Sequence, residues 1–193
     1  MTTHSVRAVS PRRGEIPRAP RTGLILAALS FAAWKHRDQR RKGASAVPYV
    51  NHPIALADVL WFEGRVRDPV VIAAALLHDT IEDTEINAAE LRGAFGPLVA
   101  AVVEEVTDVK WLQKRSRKEL QVAKASKSSA RARLVKLADK IYNLRDMKSS
   151  PPRDWSLARR REYFDWAERV VDGLRGRNAA LERKFDQACR LRP

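Results

Sequence analysis

A histidine followed directly by an aspartate, His78-Asp79, is the first feature of this sequence that could do chemistry. The pair comes after an apolar run and offers an imidazole nitrogen and a carboxylate oxygen from consecutive residues. Such a mixed donor set suits Mn²⁺, Fe²⁺ or Zn²⁺. Taken alone, a His-Asp dipeptide is more often a solvated pair on the surface, so its neighbours decide the interpretation.

Two further acids follow, so that Asp79, Glu82 and Asp83 place three carboxylates within five residues. If the segment continues as a helix, Glu82 lies one turn from His78 and Asp79 and can act as an acid or a base beside a metal ion. Stacked carboxylates repel one another unless a cation is present. The alternative is an acidic turn that faces solvent.

Asp139 is the next unusual acid, because it lies beside the apolar stripe of a predicted long helix. Asn143 follows four residues later and therefore lies on the same face. A carboxylate at the edge of a core needs a partner, and a metal ion is a suitable one. The alternative is an ion pair within the helix, with Lys136 or with a neighbour of Lys140.

The other histidines differ in their surroundings. His52 lies at the predicted start of a helix, where its ring can project into a cleft, although by itself it would be a capping or core histidine. His36 is flanked by charged residues and is predicted to be solvated. His4 belongs to the basic N-terminal segment.

The elements that must position these residues are predicted to be helices. Apolar positions recur at spacings of three and four, and alternating runs bounded by turn residues are missing, so the fold class is all-α. Asp68-Pro69 begins the helix that precedes His78, since Asp is a good N-cap and Pro a good first residue. The predicted helices cover about 23–38, 51–63, 69–79, a short segment closed by 90–93, 96–107, part of 110–127, 129–147, 154–174 and 178–191.

Size and composition favour one cytoplasmic domain. The chain has 193 residues and 45% hydrophobic content, enough to bury one core. A single cysteine, Cys189, excludes an internal disulfide, a zinc finger and a Cys/His protease, and it fits a reducing cytoplasm. The net charge of +14 points to a polyanionic partner such as nucleic acid, an acidic membrane or a phosphorylated small molecule.

We predict a disordered basic tail over residues 1–22 and a single folded domain over 23–193. The apolar run 23–33 follows basic residues, as in an export signal, but it continues without a break into a charged segment. It is also shorter than the roughly 20 residues that a membrane span needs. We therefore expect it to be the first helix of the domain.

Longer motifs connect these residues to a known family. They are Gln39-Arg40-Arg41-Lys42, then Pro48 to Pro53, Ala75 to Thr84, Val103 to Asp108, and Val135 to Asp146. In this order and at this spacing they resemble the hydrolase domain of the RelA/SpoT homologue family, and most of all its small stand-alone alarmone hydrolases. The resemblance covers about residues 24–185.

This resemblance implies a fold and a site. The implied fold is a single HD-domain helical bundle of about eight to ten helices. It also selects His52 rather than His36 as the distant metal ligand. The implied site consists of Mn²⁺ ligands His52, His78, Asp79 and Asp139, catalytic acids Glu82 and Asp83, nucleotide contacts Arg41, Lys42 and Asn143, and further phosphate or ribose contacts Lys114, Arg159 and Tyr163.

The implied reaction is hydrolysis of guanosine tetraphosphate or pentaphosphate, (p)ppGpp, at the 3′-pyrophosphate to give GDP or GTP and pyrophosphate. Larger family members add a synthetase domain, and a chain ending at Pro193 is expected to degrade the alarmone without making it. The alternative within enzymes is an HD phosphohydrolase acting on another nucleotide, for example on the 2′-phosphate of NADPH.

An alternative of another class is a basic nucleic-acid-binding module. No helix-turn-helix glycine turn and no aromatic-rich strand platform stand out in the sequence, so we expect no specific nucleic acid partner. We also expect no membrane partner.

Overall fold

A computed structural model describes residues 21–43 and 46–193. Within these ranges the chain forms nine α-helices and one π-helical turn, and its only extended pairings are two isolated bridges, Arg40 with Pro48 and Gly43 with Pro152. The all-α prediction is confirmed. In chain order the elements are α1 (Arg21–Lys35), α2 (Asn51–Asp58), the π-helical turn (Val59–Glu63), α3 (Pro69–Leu77), α4 (Thr80–Asp83), α5 (Ala88–Val106), α6 (Lys114–Ala125), α7 (Ala130–Ser149), α8 (Leu157–Asp172) and α9 (Ala179–Cys189).

Helix α3 is the centre of the bundle. Every residue from Val71 to Leu77 is buried, because α1, α2, α5 and α7 all pack against this helix. A helix that is apolar all round is stable only in such a position. The predicted start is also confirmed: the Asp68 carboxylate accepts a hydrogen bond from Val70 N–H at 2.9 Å, and Pro69 occupies the first turn.

Helix α7 lies beside α3 and contributes the second central surface. The Ser129 hydroxyl caps it by accepting from Ala132 N–H at 3.2 Å. Its apolar stripe, which includes Leu137, Ile141 and Leu144, is fully buried. The polar residues of the same helix that face α2 and α3 are therefore held at fixed positions by the core.

Two helices depart from regular geometry where the sequence carries a reason. Residues 51–63, predicted as one helix, end in a π-helical turn that is closed by Gly64 N–H donating to Val59 O at 2.9 Å. The predicted break before residue 96 is a kink inside α5: Gly96 adopts a φ of 82°, which favours glycine, and Pro97 suits the first turn of the second segment.

One cluster of buried residues extends from Ala28 in α1 to Ala188 in α9. The first helix begins at Arg21, so only the last two residues of the predicted tail are described, and both are helical. The rest of the tail, with His4, lies outside the described residues. No helix in the described ranges is long and apolar enough to cross a membrane.

Candidate metal centre

Three helices bring two histidines and two carboxylates together. His52 lies in the first turn of α2, His78 and Asp79 follow the last residue of α3, and Asp139 lies in α7. One ligand atom each from His52, His78 and Asp139 falls within a 4.8 Å cluster. Asp79 Oδ2 lies 2.9 Å from His78 Nε2 and 3.7 Å from His52 Nε2, while His52 Nε2 is 3.4 Å from Asp139 Oδ1.

The orientation of His78 fits a metal ligand. Its Nδ1 lies 2.8 Å from the carbonyl oxygen of Ala75, which can only accept a hydrogen bond, so Nδ1 carries the proton. In the neutral ring the lone pair is then on Nε2, the nitrogen that faces Asp79 and His52. A histidine fixed in this way by a backbone carbonyl is typical of protein metal sites. The donor set of two imidazoles and two carboxylates therefore fits a divalent transition metal.

The electrostatics of the cluster are those of charges removed from water. Burial alone would lower the pKa of His78, but the carboxylate of Asp79 raises it to about 9. Burial alone would raise the pKa of Asp79, but His78 holds it well below its usual range. A cation that binds here must displace the proton shared by this pair.

Asp139 also has partners within its own helix. Burial would raise its pKa, but Lys140, whose Nζ lies 3.0 Å from Asp139 Oδ2, and His52 hold it well below the usual range. Asn143 Nδ2 donates to Asp139 Oδ1 at 2.6 Å. An intrahelical ion pair therefore exists, but it is formed with Lys140 itself and not with Lys136 or a neighbour of Lys140 as considered from the sequence. One carboxylate oxygen still faces His52.

The two further acids lie on the wall of the same cavity and not in a solvent-facing turn. The cavity has a volume of about 220 Å³, and the metal-type cluster lines one part of it. Glu82 accepts from Asp108 N–H at 3.3 Å, and Asp83 pairs with Lys110 at 2.8 Å. Burial and the neighbouring carboxylates, first that of Asp108, together raise the pKa of Glu82 to about 7.

Arg41 also lines the cavity. Its guanidinium donates to Asp146 at 2.7 Å and to Asn143 at 3.2 Å, and it lies between the rings of Tyr49 and Tyr142. Burial lowers the pKa of Arg41, but the Asp146 carboxylate more than offsets this effect and raises it above the usual value. The predicted residues that line the cavity are Arg41, His52, His78, Asp79, Glu82, Asp83, Asp139 and Asn143.

The remaining predicted residues, Lys42, Lys114, Arg159 and Tyr163, do not line the cavity. Three of them gather around the ring of Trp155, and we call the four residues the rim. Lys114 Nζ lies 5.4 Å from the ring centre of Trp155, and the Arg159 guanidinium lies 4.3 Å from the same ring. The pKa of Lys114 is lowered by burial and then by the positive charges of Arg159 and Lys42. Tyr163 packs against Trp155 and adjoins Lys140.

Sequence reasoning missed several cavity residues. Lys136 is buried, its Nζ donates to Val106 O at 3.2 Å, and burial lowers its pKa. Tyr49 donates to Asp79 at 2.5 Å. The helical spacing of 136, 139, 140 and 143 places all four on one face, which could have identified the lysines. The missed lining residues are Tyr49, Val106, Asp108, Gln121, Val135, Lys136 and Lys140.

His36 corrects one prediction. It was expected to be solvated, but its ring is buried and packs against Tyr49 at a centroid distance of 4.9 Å. Its charged neighbours Lys35 and Arg37 point elsewhere, to Glu85 and to the Trp34 ring. Local composition could not show this, because the ring of Tyr49 arrives from a different part of the chain.

A helical bundle in which a His-Asp pair at the end of one helix meets a histidine and an aspartate from two others has the architecture of an HD domain. The HD domain family matches residues 28–165 of this chain. The chain is also 52% identical to "Guanosine-3′,5′-bis(diphosphate) 3′-pyrophosphohydrolase MESH1" of Danio rerio over 86% of this chain and 92% of that protein. It is 54% identical to the protein of the same name from Homo sapiens, over 82% of this chain and 88% of the relative.

A solved structure agrees with these relationships. That structure is described as "A metazoan ortholog of SpoT hydrolyzes ppGpp and plays a role in starvation responses". It superimposes on this chain with a TM-score of 0.85 at 49% sequence identity. The match covers 88% of this chain and 95% of that one. The chain therefore belongs to the HD-domain family and, within it, to the MESH1 group.

Proposed function

We propose that this protein hydrolyses the 3′-pyrophosphate of ppGpp and pppGpp to GDP or GTP and pyrophosphate. One observation carries the proposal: a two-histidine, two-carboxylate cluster and a set of basic and aromatic side chains, Arg41, Tyr49, Lys136 and Lys140, line one cavity. The first suits a metal ion, and the second suits a phosphorylated nucleotide. Relatives above 50% identity carry the name of this activity, which supports the choice of substrate.

The proposed cofactor is Mn²⁺, held by His52, His78, Asp79 and Asp139. A divalent cation at such a site lowers the pKa of water and offsets negative charge on phosphate. The buried lysines add to this effect, because Lys136 and Lys140 also line the cavity. The nitrogen and oxygen donors alone do not distinguish Mn²⁺ from Fe²⁺ or Zn²⁺, so the choice of Mn²⁺ follows from the family resemblance.

The proposed catalytic acids are Glu82 and Asp83. In hydrolysis, a water oxygen bonds to the phosphorus next to the ribose 3′ oxygen, the bond from phosphorus to that oxygen breaks, and the 3′ oxygen gains a proton. Glu82 has a pKa of about 7, so it can accept the proton of the attacking water near neutral pH. Asp83 lies beside it, and its ion pair with Lys110 keeps its carboxylate in place.

The proposed substrate contacts divide into two groups. Arg41 and Asn143 lie in the cavity, where they can fix the nucleotide close to the reacting phosphate. Lys42, Lys114 and Arg159 supply positive charge at the rim for the phosphates, and Tyr163 offers a ring and a hydroxyl there for the ribose. In the described part of the chain, Lys114 and Arg159 lie over the ring of Trp155 and form no ion pair with a carboxylate, which leaves their charge available for an anion.

We also propose that residues 23–193 are the catalytic domain, with the basic residues 1–22 outside it, and that the protein acts in the cytoplasm. Both statements rest on composition, since the tail carries Arg and Pro residues and the chain has a single cysteine. The proposed partner is the nucleotide alone, without a specific nucleic acid.

Purified protein supplied with Mn²⁺ tests the function. It should convert ppGpp to GDP and pyrophosphate, separated by anion-exchange chromatography, whereas the Asp79→Ala protein should not. NADPH and common nucleotides are assayed in parallel. Release of phosphate from NADPH without pyrophosphate from ppGpp would establish the alternative substrate and reject the alarmone. Selective binding of one nucleic acid at high salt, with no hydrolysis, would instead indicate a binding module.

A further inference from the structure

His36 is a buried residue without a role in the site described above. It lies in the turn after α1, which is closed by Gln39 N–H donating to His36 O at 3.0 Å. Its Nδ1 is 2.7 Å from Gln39 Oε1, and its Nε2 has no hydrogen-bond partner within the described part of the chain. An unpaired nitrogen in a core costs free energy that an apolar side chain would avoid, so this histidine needs an explanation.

The hydrogen bonds of Gln39 decide which atoms carry protons. The backbone carbonyl of Asp83 can only accept, so the Gln39 atom 2.6 Å from it is the amide nitrogen. The amide oxygen of Gln39 then faces His36 and also accepts, so His36 Nδ1 carries the proton. Imidazole, amide and carbonyl thus form one directed chain of hydrogen bonds from the turn after α1 to the end of α4.

Helix α4 needs an external partner because it is a single turn. The last carbonyl oxygens of a helix receive no hydrogen bond from an N–H group of the same helix, and the Asp83 carbonyl oxygen is one of these. Gln39, which is 44 residues away in sequence, supplies the missing donor. The bond therefore holds the end of the helix at the residue that carries one of the two proposed catalytic acids.

The same two residues support Tyr49. The ring of His36 packs against that of Tyr49 at 4.9 Å, and Tyr49 N–H donates to Gln39 O at 3.0 Å. The Tyr49 hydroxyl in turn donates to Asp79 Oδ2 at 2.5 Å and lies 3.4 Å from Asp83 Oδ2. The turn after α1 is thereby connected to both ends of the acidic segment 79–83.

We propose that His36 and Gln39 are positioning residues: His36 orients the Gln39 amide, and Gln39 fixes the end of α4 so that Glu82 and Asp83 face the cavity. Neither residue lines the cavity, and the hydrogen bonds of both side chains are made to groups of the protein. This inference rests on the proposed function for its kinetic consequence. The geometric part, the winding of α4, can be measured without any substrate.

Four single substitutions separate the two contributions. Gln39→Met removes both hydrogen bonds at similar volume, and Gln39→Glu keeps the acceptor for His36 but loses the donor to Asp83. His36→Phe keeps a ring against Tyr49 and loses Nδ1, whereas His36→Asn keeps a donor near that position. The matched control is Asp38→Ala in the same turn, since that side chain is 84% exposed.

We expect Gln39→Met, Gln39→Glu and His36→Phe each to lower kcat by about tenfold, with KM and Mn²⁺ content within about twofold of wild type. His36→Asn should recover most of the lost kcat, and Asp38→Ala should equal wild type. The double variant His36→Phe/Gln39→Met should be no slower than Gln39→Met alone, because the residues act in series. Full multiplication of the two losses, or a loss of Mn²⁺ and of folded protein that accounts for the whole effect, would overturn the proposal.

Amide hydrogen exchange tests the geometry independently of activity. The N–H groups of Asp83 and Thr84 donate to Asp79 O and Thr80 O, so they report directly on α4. In Gln39→Met and His36→Phe they should exchange about tenfold faster, while Leu91 N–H in α5 is unchanged. Unchanged exchange in both variants rejects the positioning role. Absence of ppGpp hydrolysis in the wild type rejects the proposed function and leaves this measurement decisive for the inference.

Discussion

Two groups of charged side chains on α7 show how differently this protein uses buried charge. On one face, Arg145 forms a two-pronged pair with Glu63 at 2.6 and 2.9 Å, and Lys184 lies 3.5 Å from the same carboxylate. On the other face, Asp139 lies in a cavity that it shares with the carboxylates of Asp79 and Glu82. The charges of the first group pair with one another, whereas the second crowds three carboxylates around one cavity, and among the described residues only that of Asp139 pairs with a lysine.

The difference appears in the pKa values. The hydrogen bond from Arg145 lowers the pKa of Glu63 from its usual 4.5, against the opposing effect of burial. Among the described residues, no basic group lies within ion-pair distance of Glu82, and burial together with the neighbouring carboxylates raises its pKa to about 7. Paired opposite charges are typical of structural ion pairs that stabilise a fold. Unpaired buried carboxylates with a raised pKa are typical of functional sites.

Removal of a ligand from the crowded face should have the largest effect. Asp79→Ala should abolish Mn²⁺ binding and lower kcat/KM by more than about 10³-fold, because the cation that offsets phosphate charge is lost. Metal content by mass spectrometry and ppGpp turnover measure both. Chelation should lower the melting temperature of the wild type but not of this variant. Retained Mn²⁺ together with retained activity would remove Asp79 from the ligand set.

The second prediction concerns Glu82. Glu82→Gln should keep Mn²⁺ and lower kcat by about 10²-fold or more, because the base for the attacking water is lost. In the wild type, kcat should rise with pH through about 7, where the Glu82 carboxyl loses its proton. A profile measured from about pH 6 to about pH 9 should lack this rise in the variant. An unchanged rise in Glu82→Gln would assign it to another group.

The third prediction separates the rim from the cavity. Lys114→Met should raise KM for ppGpp by about tenfold with kcat within about twofold, since a rim cation binds the ground state and the transition state alike. Steady-state kinetics measure both values. Lys124→Met, an exposed lysine on the same helix, is the control and should leave KM unchanged. Equal effects of the two substitutions would mean that only net charge matters.

The smallest effect is expected on the balanced face. Glu63→Gln should lower the free energy of unfolding by about 0.5–1 kcal/mol near neutral pH and leave kcat unchanged. Because the pKa of Glu63 is depressed in the folded state, the difference is fully present above pH 4.5 and disappears as the pH falls through the folded value. Denaturant unfolding at several pH values measures it. A difference that grows in acid would contradict the assigned pair.

The sequence was sufficient to predict the main helices and the apolar stripes that form the core. Asp68-Pro69 and Ser129 start the two central helices as predicted, because capping is a local interaction between neighbouring residues. The π-helical turn after α2 was not predicted. It depends on how Gly64 packs against α9, where a Cβ would lie 2.8 Å from Leu181, and that contact spans the chain.

The predicted site divides in the same way. His78 and Asp79 follow an apolar helix, so their pairing was visible in the sequence, but the choice of His52 over His36 needed the family resemblance. The burial of His36 was missed because the loop between α1 and α2 folds back and brings the ring of Tyr49 onto the His36 ring. The roles of Lys136 and Lys140 were missed because a lysine in a helix is read as a surface residue until its burial is seen.

The isolated bridge between Gly43 and Pro152 has a consequence for how this sequence can vary. A Cβ at residue 43 would fall 2.3 Å from the Ser150 hydroxyl and 2.9 Å from the Ser150 carbonyl oxygen, and the latter cannot rotate away. Any side chain at residue 43 would push the backbone next to Lys42 away from the segment 150–155, which leads to Trp155. In a library of random substitutions selected for turnover, residue 43 should therefore stay glycine, although it does not line the cavity.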